Sequence, residues 1–217
     1  MTDTPALRDA LIAVARSLNA ENINRGKAGN VSVRIDVGIL ITPSGMPYAT
    51  IERTDVVAIT AEGRSQGARK PSSEWPMHHA IYAARPDVAA IVHTHAPFAT
   101  ALACLGRGIP AFHYMVAVAG GRDIRCAPYA TFGTAELAAH TVTALADRRA
   151  CLLAHHGMVA TGASLDQALA LAVEVEALAE IYGRALQIGT PAVLTELEMD
   201  AVMRQFDAYG QTESGGG

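Results

Sequence analysis

The sequence predicts a single three-layer α/β/α domain with a mainly antiparallel central sheet. Apolar residues recur at helical spacing in several segments, beginning with Leu7, Leu11, Val14, Ala15 and Leu18. Short apolar stretches at residues 31–35, 38–42 and 55–60 are joined by tight connections, the pattern of antiparallel neighbours. No repeat or linker interrupts the 217 residues, half of them hydrophobic, a length that fills one sizeable core and is short for two.

In chain order, residues 5–20 should form an amphipathic helix. In the segment NRGKAGNVSVRI, Gly26 and Gly29 permit tight backbone, and Val31, Val33 and Ile35 alternate as a half-buried strand would. GILITPSG supplies a second strand and a turn, and DVVAIT a third. Residues 74–84 read as a helix that stops before Arg85 and Pro86, because proline disfavours helical backbone in its predecessor. VAAIVHTH is then a buried strand and PFATALACL a helix. After a loop with Gly120 and Gly121, a helix over 134–146 leads into CLLAHHGMVATG, a strand, a turn at Gly157 and another strand. Ser164 with Gln167 three residues on is a capping box that opens a long helix. A last helix covers 196–209, so the domain spans 1–210, and the polar, glycine-ended tail 211–217 is expected to be disordered.

A net charge of −4 and scattered Lys and Arg residues argue against a nucleic-acid footprint and for a small molecule or a second copy as partner. Cys104, Cys126 and Cys151 are odd in number without C-x-x-C spacing, which suits reduced thiols in the cytoplasm. The first twenty residues lack a signal-peptide pattern, and no apolar run reaches membrane-spanning length, so a soluble, cytoplasmic protein is expected.

The chemistry concentrates in residues 70–95, KPSSEWPMHHAIYAARPDVAAIVHTH. On a strand, His93 and His95 project from one face, as two ligands of one metal ion must. Buried at the end of an apolar run, two imidazoles need a partner, and zinc with three protein nitrogens and an open position is the usual catalytic arrangement. The pair His155 and His156 before Gly157 offers a third ligand, although spacing does not choose between them. His78 and His79 sit about 100° apart on a helix and do not converge, so they read as structural, with His79 the nearer to the site. Glu74 can be read as an ordinary acid in a first helical turn, with Ser73 as N-cap. The same geometry also makes an anion site suited to phosphate, to which GKAGN and TPSG could add backbone N–H donors.

The segments GKAGNVSVR, LITPSGMPY, KPSSEW, IVHTHAPFATALA, IPAFHYMVAVAGG, IRCAPYATFGT and LLAHHGMVATG together resemble the class II aldolase/adducin family, most closely its L-fuculose-1-phosphate aldolases. The resemblance runs from the first helix to Gly210. It implies that His93, His95 and His156 bind zinc and that Glu74 approaches the metal and carries protons; three imidazoles and a carboxylate would accept manganese or cobalt too. It further implies that Gly29, Asn30, Ser44, Gly45, Ser72 and Ser73 cradle the substrate phosphate, while Phe132 and Tyr209 lie near the aldehyde. Tyr114 would reach a neighbouring subunit's site and handle the proton on the aldehyde side, within a homotetramer. Lys27 stands where the family often has threonine, which places a cation beside the presumed phosphate. The implied reaction is reversible cleavage of L-fuculose 1-phosphate, or a related 5-deoxyketose 1-phosphate such as 5-deoxyribulose or methylthioribulose 1-phosphate, to dihydroxyacetone phosphate and an aldehyde. Competing readings are an L-ribulose-5-phosphate 4-epimerase, a methylthioribulose-1-phosphate dehydratase and a catalytically silent, adducin-like interaction module.

Overall fold

The computed structural model describes residues 1–207. Among them lie α1 (Pro5–Ala20), β1 (Asn30–Ile35), β2 (Gly38–Ile41), β3 (Val57–Thr60), β4 (Ser65–Gln66), α2 (Trp75–Ala84), β5 (Ala90–Thr94), α3 (Pro97–Cys104), β6 (Arg125–Ala127), α4 (Ala135–Ala144), β7 (Ala150–Leu153), β8 (Gly157–Gly162), α5 (Leu165–Ile188) and α6 (Glu196–Asp207). The strands form one sheet in the order β4-β3-β2-β1-β5-β8-β7-β6. Every neighbouring pair is antiparallel except β6 and β7.

Side-chain alternation along the strands builds a core on each face of the sheet. On one face, Leu11 and Leu18 of α1, Leu102 of α3 and Val175 and Leu178 of α5 pack over Val31, Val33 and Val92. On the other, Met77 and Ile81 of α2 and Leu137 and Ala138 of α4 cover Ile39, Ile41, Ile59 and Ile91. Three layers result, as the patterning predicts.

The helix starts follow local chemistry. Thr4 Oγ1 accepts the Leu7 N–H, and Pro5 occupies the first turn of α1. Ser164 Oγ accepts the Gln167 N–H at 3.2 Å, and Gln167 Oε1 takes the N–H of Ala163, one residue before the usual capping-box position. The start of α3 has no cap of its own. Glu176 of α5 supplies one across the interior, accepting the Phe98 and Ala99 N–H groups at 2.8 Å each. Burial pushes its carboxyl up further than these two bonds lower it.

Several expectations change. Strand β1 is covered on both faces, because α2 lies over the side that carries Ser32. Glu74, not Ser73, is the N-cap of α2; Ser72 Oγ accepts the Glu74 N–H and Ser73 is exposed. His79 turns away from the histidine pair, bonding the Ala61 carbonyl and packing edge-on against Trp75. The two- and three-residue strands β4 and β6 are too short to show periodicity. The three cysteines are free, and no described helix is long and apolar enough to cross a membrane. The tail 211–217, the last residues of the final predicted helix and Tyr209 lie outside the described residues.

Candidate metal centre

Sheet register assembles the site. Pairing of β1 with β5 sets Asn30 opposite His93 on the face that α2 covers, and pairing of β5 with β8 sets His93 opposite Val159. His95 follows just beyond β5 on the same face, the turn from β7 to β8 carries His156, and the N-cap of α2 carries Glu74. Ligand atoms of Glu74, His93, His95 and His156 all lie within 4.8 Å of one another. His93 Nε2 is 3.2 Å from His95 Nε2 and 3.0 Å from Glu74 Oε2, and His156 Nε2 is 3.2 Å from Glu74 Oε1.

These atoms make sense around a cation. His93 Nδ1 is 2.9 Å from the Met158 carbonyl, which can only accept, so Nδ1 carries a proton and Nε2 of the neutral ring aims a lone pair into the cluster. Glu74 Oε1 is buried and receives no hydrogen bond, since the approach of His156 Nε2 lacks hydrogen-bond geometry. A buried acceptor left so costs about 1–3 kcal/mol unless something fills the gap. Three imidazole nitrogens and one carboxylate oxygen are a donor set that a divalent ion of the zinc kind accepts. The residues therefore fit a bound metal.

Electrostatics agree. Burial pushes the Glu74 carboxyl up, but His93 and His156 together outweigh it and hold the group below the usual carboxylate range. Burial pushes His93 down, yet the Glu74 carboxylate and the Met158 carbonyl outweigh it and raise the ring overall. His95 is lowered to about 4 by burial and its histidine neighbours, which leaves it neutral and ready to ligate near pH 7.

Geometry also separates the two adjacent histidines. His155 adopts left-handed backbone with φ 56°, is exposed, and packs edge-on against Tyr129, while His156 joins the cluster. A Cβ on Gly157 would lie 2.5 Å from the Thr94 carbonyl oxygen and 3.0 Å from the His95 ring, so only glycine lets β8 begin this close to the ligands. Gly29, at φ 74°, meets the same limit against the His93 carbonyl.

The cluster opens into a cavity of about 320 Å³. Gly29, Asn30, Ser44, Gly45, Ser72, Ser73 and Phe132, all singled out from the sequence, line it, as does Lys27. Tyr129, Ala130 and His155 line it too; the sequence offers His155 only as an alternative metal ligand, and nothing in the spacing marks Tyr129 or Ala130. The N–H groups of Ser44 and Ser72 are committed to the Lys70 and Thr42 carbonyls, whereas those of Gly45 and Ser73 have no partner among the described residues. Asn30 lines the cavity but turns its amide inward, donating to Glu74 Oε2 at 3.1 Å. Tyr114 borders a different cavity with Met115 and residues of α6, its ring stacked on Phe206. A larger cavity of about 650 Å³ near Asp87, Arg149 and Gln167 has none of the clustered ligands.

Residues 9–183 match the Class II Aldolase and Adducin N-terminal domain family, and the chain belongs to that family. The 5-methylthioribulose-1-phosphate/5-deoxyribulose-1-phosphate aldolase of Rhodospirillum rubrum is 60% identical over 205 residues, covering 94% of this chain and 93% of that protein. The L-fuculose phosphate aldolase of Escherichia coli K12 is 50% identical over 189 residues, covering 87% and 88%. A solved L-fuculose 1-phosphate aldolase superposes with a TM-score of 0.92 at 41% identity, covering 95% of this chain and 98% of that one. The chain is thus an enzyme, an aldolase of the metal-dependent class, with a cluster able to hold the ion.

Proposed function

We propose that the chain is a zinc-dependent aldolase that reversibly cleaves a 5-deoxyketose 1-phosphate, of the 5-deoxyribulose or methylthioribulose type, to dihydroxyacetone phosphate and an aldehyde. The observation that carries this reading is the Glu74, His93, His95 and His156 cluster, with its orphaned carboxylate oxygen, inside a cavity bounded by anion-binding and aromatic groups. Lys27, the Ser44 and Ser72 hydroxyls and the unpartnered N–H groups of Gly45 and Ser73 suit a phosphate. The rings of Tyr129 and Phe132, both more than half exposed, suit a short apolar aldehyde. The Rhodospirillum rubrum relative is named for these two deoxyketose phosphates, which favours them over L-fuculose 1-phosphate.

A divalent ion on these four side chains would supply Lewis-acid stabilisation of the enediolate charge, worth several kcal/mol. Phosphate anchoring fixes the reacting carbons beside Glu74. In the condensation direction the Glu74 carboxylate removes a proton from the carbon of dihydroxyacetone phosphate that attacks the aldehyde. Tyr114 from a neighbouring copy gives a proton to the new hydroxyl, and cleavage runs both transfers in reverse. Tyr114 is half exposed and borders another cavity in its own chain, which suits a role across an interface in a homotetramer. Tyr209 is assigned beside the aldehyde with Phe132.

A coupled assay for dihydroxyacetone phosphate, run on 1-phosphates that release acetaldehyde, methylthioacetaldehyde or lactaldehyde, tests the proposal. We expect the first two to be cleaved with the higher kcat/KM. Preference for the lactaldehyde donor would return the assignment to L-fuculose 1-phosphate, and turnover without dihydroxyacetone phosphate would point to an epimerase or dehydratase.

A further inference from the structure

Behind Glu74 lies a file of polar groups sealed from solvent. Glu74, His78 and Tyr82 are spaced i, i+4, i+8 from the N-cap along α2, and Asn30 and Ser32 are two apart on the facing side of β1. Contacts run from Asn30 Nδ2 to Glu74 Oε2 at 3.1 Å, from Asn30 Oδ1 to His78 Nε2 at 2.5 Å, from His78 Nδ1 to Ser32 Oγ at 2.6 Å, and from Ser32 Oγ to Tyr82 Oη at 2.9 Å. His78 and Ser32 have no solvent exposure.

Donor and acceptor chemistry gives this file one direction. The Glu74 carboxylate only accepts, so the Asn30 NH2 faces it and the Asn30 carbonyl faces His78. That carbonyl also only accepts, so His78 Nε2 carries a proton. A neutral ring then has a bare Nδ1, the Ser32 hydroxyl must donate to it, and the Tyr82 hydroxyl donates to Ser32. Burial, with His93 nearby, lowers His78 to about 3, in keeping with a neutral ring.

We infer that His78, held as the Nε2–H tautomer between the Asn30 carbonyl and the Ser32 hydroxyl, is a positioning residue that fixes the Asn30 amide and thereby the orientation of the Glu74 carboxylate. Without the His78 donor the amide is free to rotate its oxygen toward the carboxylate, which repels Glu74 from its place. With it, Oε2 is held by Asn30 and Oε1 is left for the metal and the substrate. The inference rests on the proton-carrying role proposed for Glu74.

Two measurements test it. In the zinc-loaded protein labelled with 15N-histidine, long-range 1H–15N correlation should show His78 protonated at Nε2 and bare at Nδ1 at pH 7. An Nδ1–H tautomer or a doubly protonated ring overturns the relay, whether or not the protein cleaves a ketose phosphate. In kinetics, His78→Phe should retain stoichiometric zinc and its KM within about threefold, and lose about tenfold or more in kcat through misplacement of Glu74. His78→Gln, whose amide can donate to Asn30 and accept from Ser32, should recover most of that loss. Wild-type kcat in His78→Phe, or a His78→Gln no better than His78→Phe, contradicts the inference. If His78→Phe does not fold, Ser32→Ala decides: it removes one hydroxyl, should yield mixed tautomers with reduced kcat, and a pure Nε2–H signal with unchanged kcat contradicts the inference.

Discussion

Glu74 shows what one residue does when a local role and a site role compete. By position it is a helix N-cap, yet its side chain makes no capping bond and turns to three imidazoles instead. Replacing its carboxylate by an amide, Glu74→Gln, should cost about 10²–10⁴-fold in kcat as the proton carrier is lost, with zinc content kept by three histidines. Full activity in that variant would remove the assigned role. The paired histidines give a second contrast: His156→Ala should leave the protein substoichiometric in metal by elemental analysis, and His155→Ala should not, because only His156 reaches the cluster. At this scale the sequence said a good deal. Two histidines at strand spacing announce a shared ligand face, but adjacent histidines at a turn do not reveal which side chain turns inward, since that depends on the left-handed backbone of His155.

Among the elements, α3 depends on another helix for its start. Glu176→Ala would leave the part-buried Phe98 and the buried Ala99 N–H groups without an acceptor, at a cost of about 1–3 kcal/mol, readable as a lower urea midpoint. An unchanged midpoint would mean that water replaces the cap. The local cap of α5 at Ser164 was legible in the sequence, because side chain and N–H lie three residues apart, a spacing that Thr4 shares at the start of α1. The α3 cap was not, because donor and acceptor are 77 and 78 residues apart. Strand β1 departs from the half-buried expectation for a similar reason: its alternation marks one apolar face, while Asn30 and Ser32 make the other a buried polar face that only the packing of α2 explains. Glu74, His78 and Tyr82 share one stripe of α2, so their spacing held the signal for the relay once the partner strand was known.

Over the whole molecule, the three layers and the antiparallel sheet followed from periodicity, whereas the parallel pairing of β6 with β7 did not, because β6 has only three residues. Acid stability is a property of this whole. His78 and His95 have folded pKa values near 3 and 4 against 6.5 for the free ring, so between those limits the unfolded chain binds more protons and stability falls as pH drops. Glu74, lowered from 4.5, adds to the loss below that pH, while His93, raised, opposes it by stabilising the fold at low pH and releasing that contribution as pH rises. The metal-free protein should therefore show a thermal midpoint that falls from pH 6.5 to pH 4; a flat profile would mean that His78 and His95 are not held neutral.

The proposed activity is metal-dependent carbon–carbon cleavage at the four-residue cluster. Its most direct test is the release of dihydroxyacetone phosphate from 5-deoxyribulose 1-phosphate by the zinc-loaded protein, after chelation, and after zinc is restored. Release is expected, with its loss on chelation and its return with zinc. Release that persists in the fully chelated protein, or none from the zinc-loaded one, would contradict it.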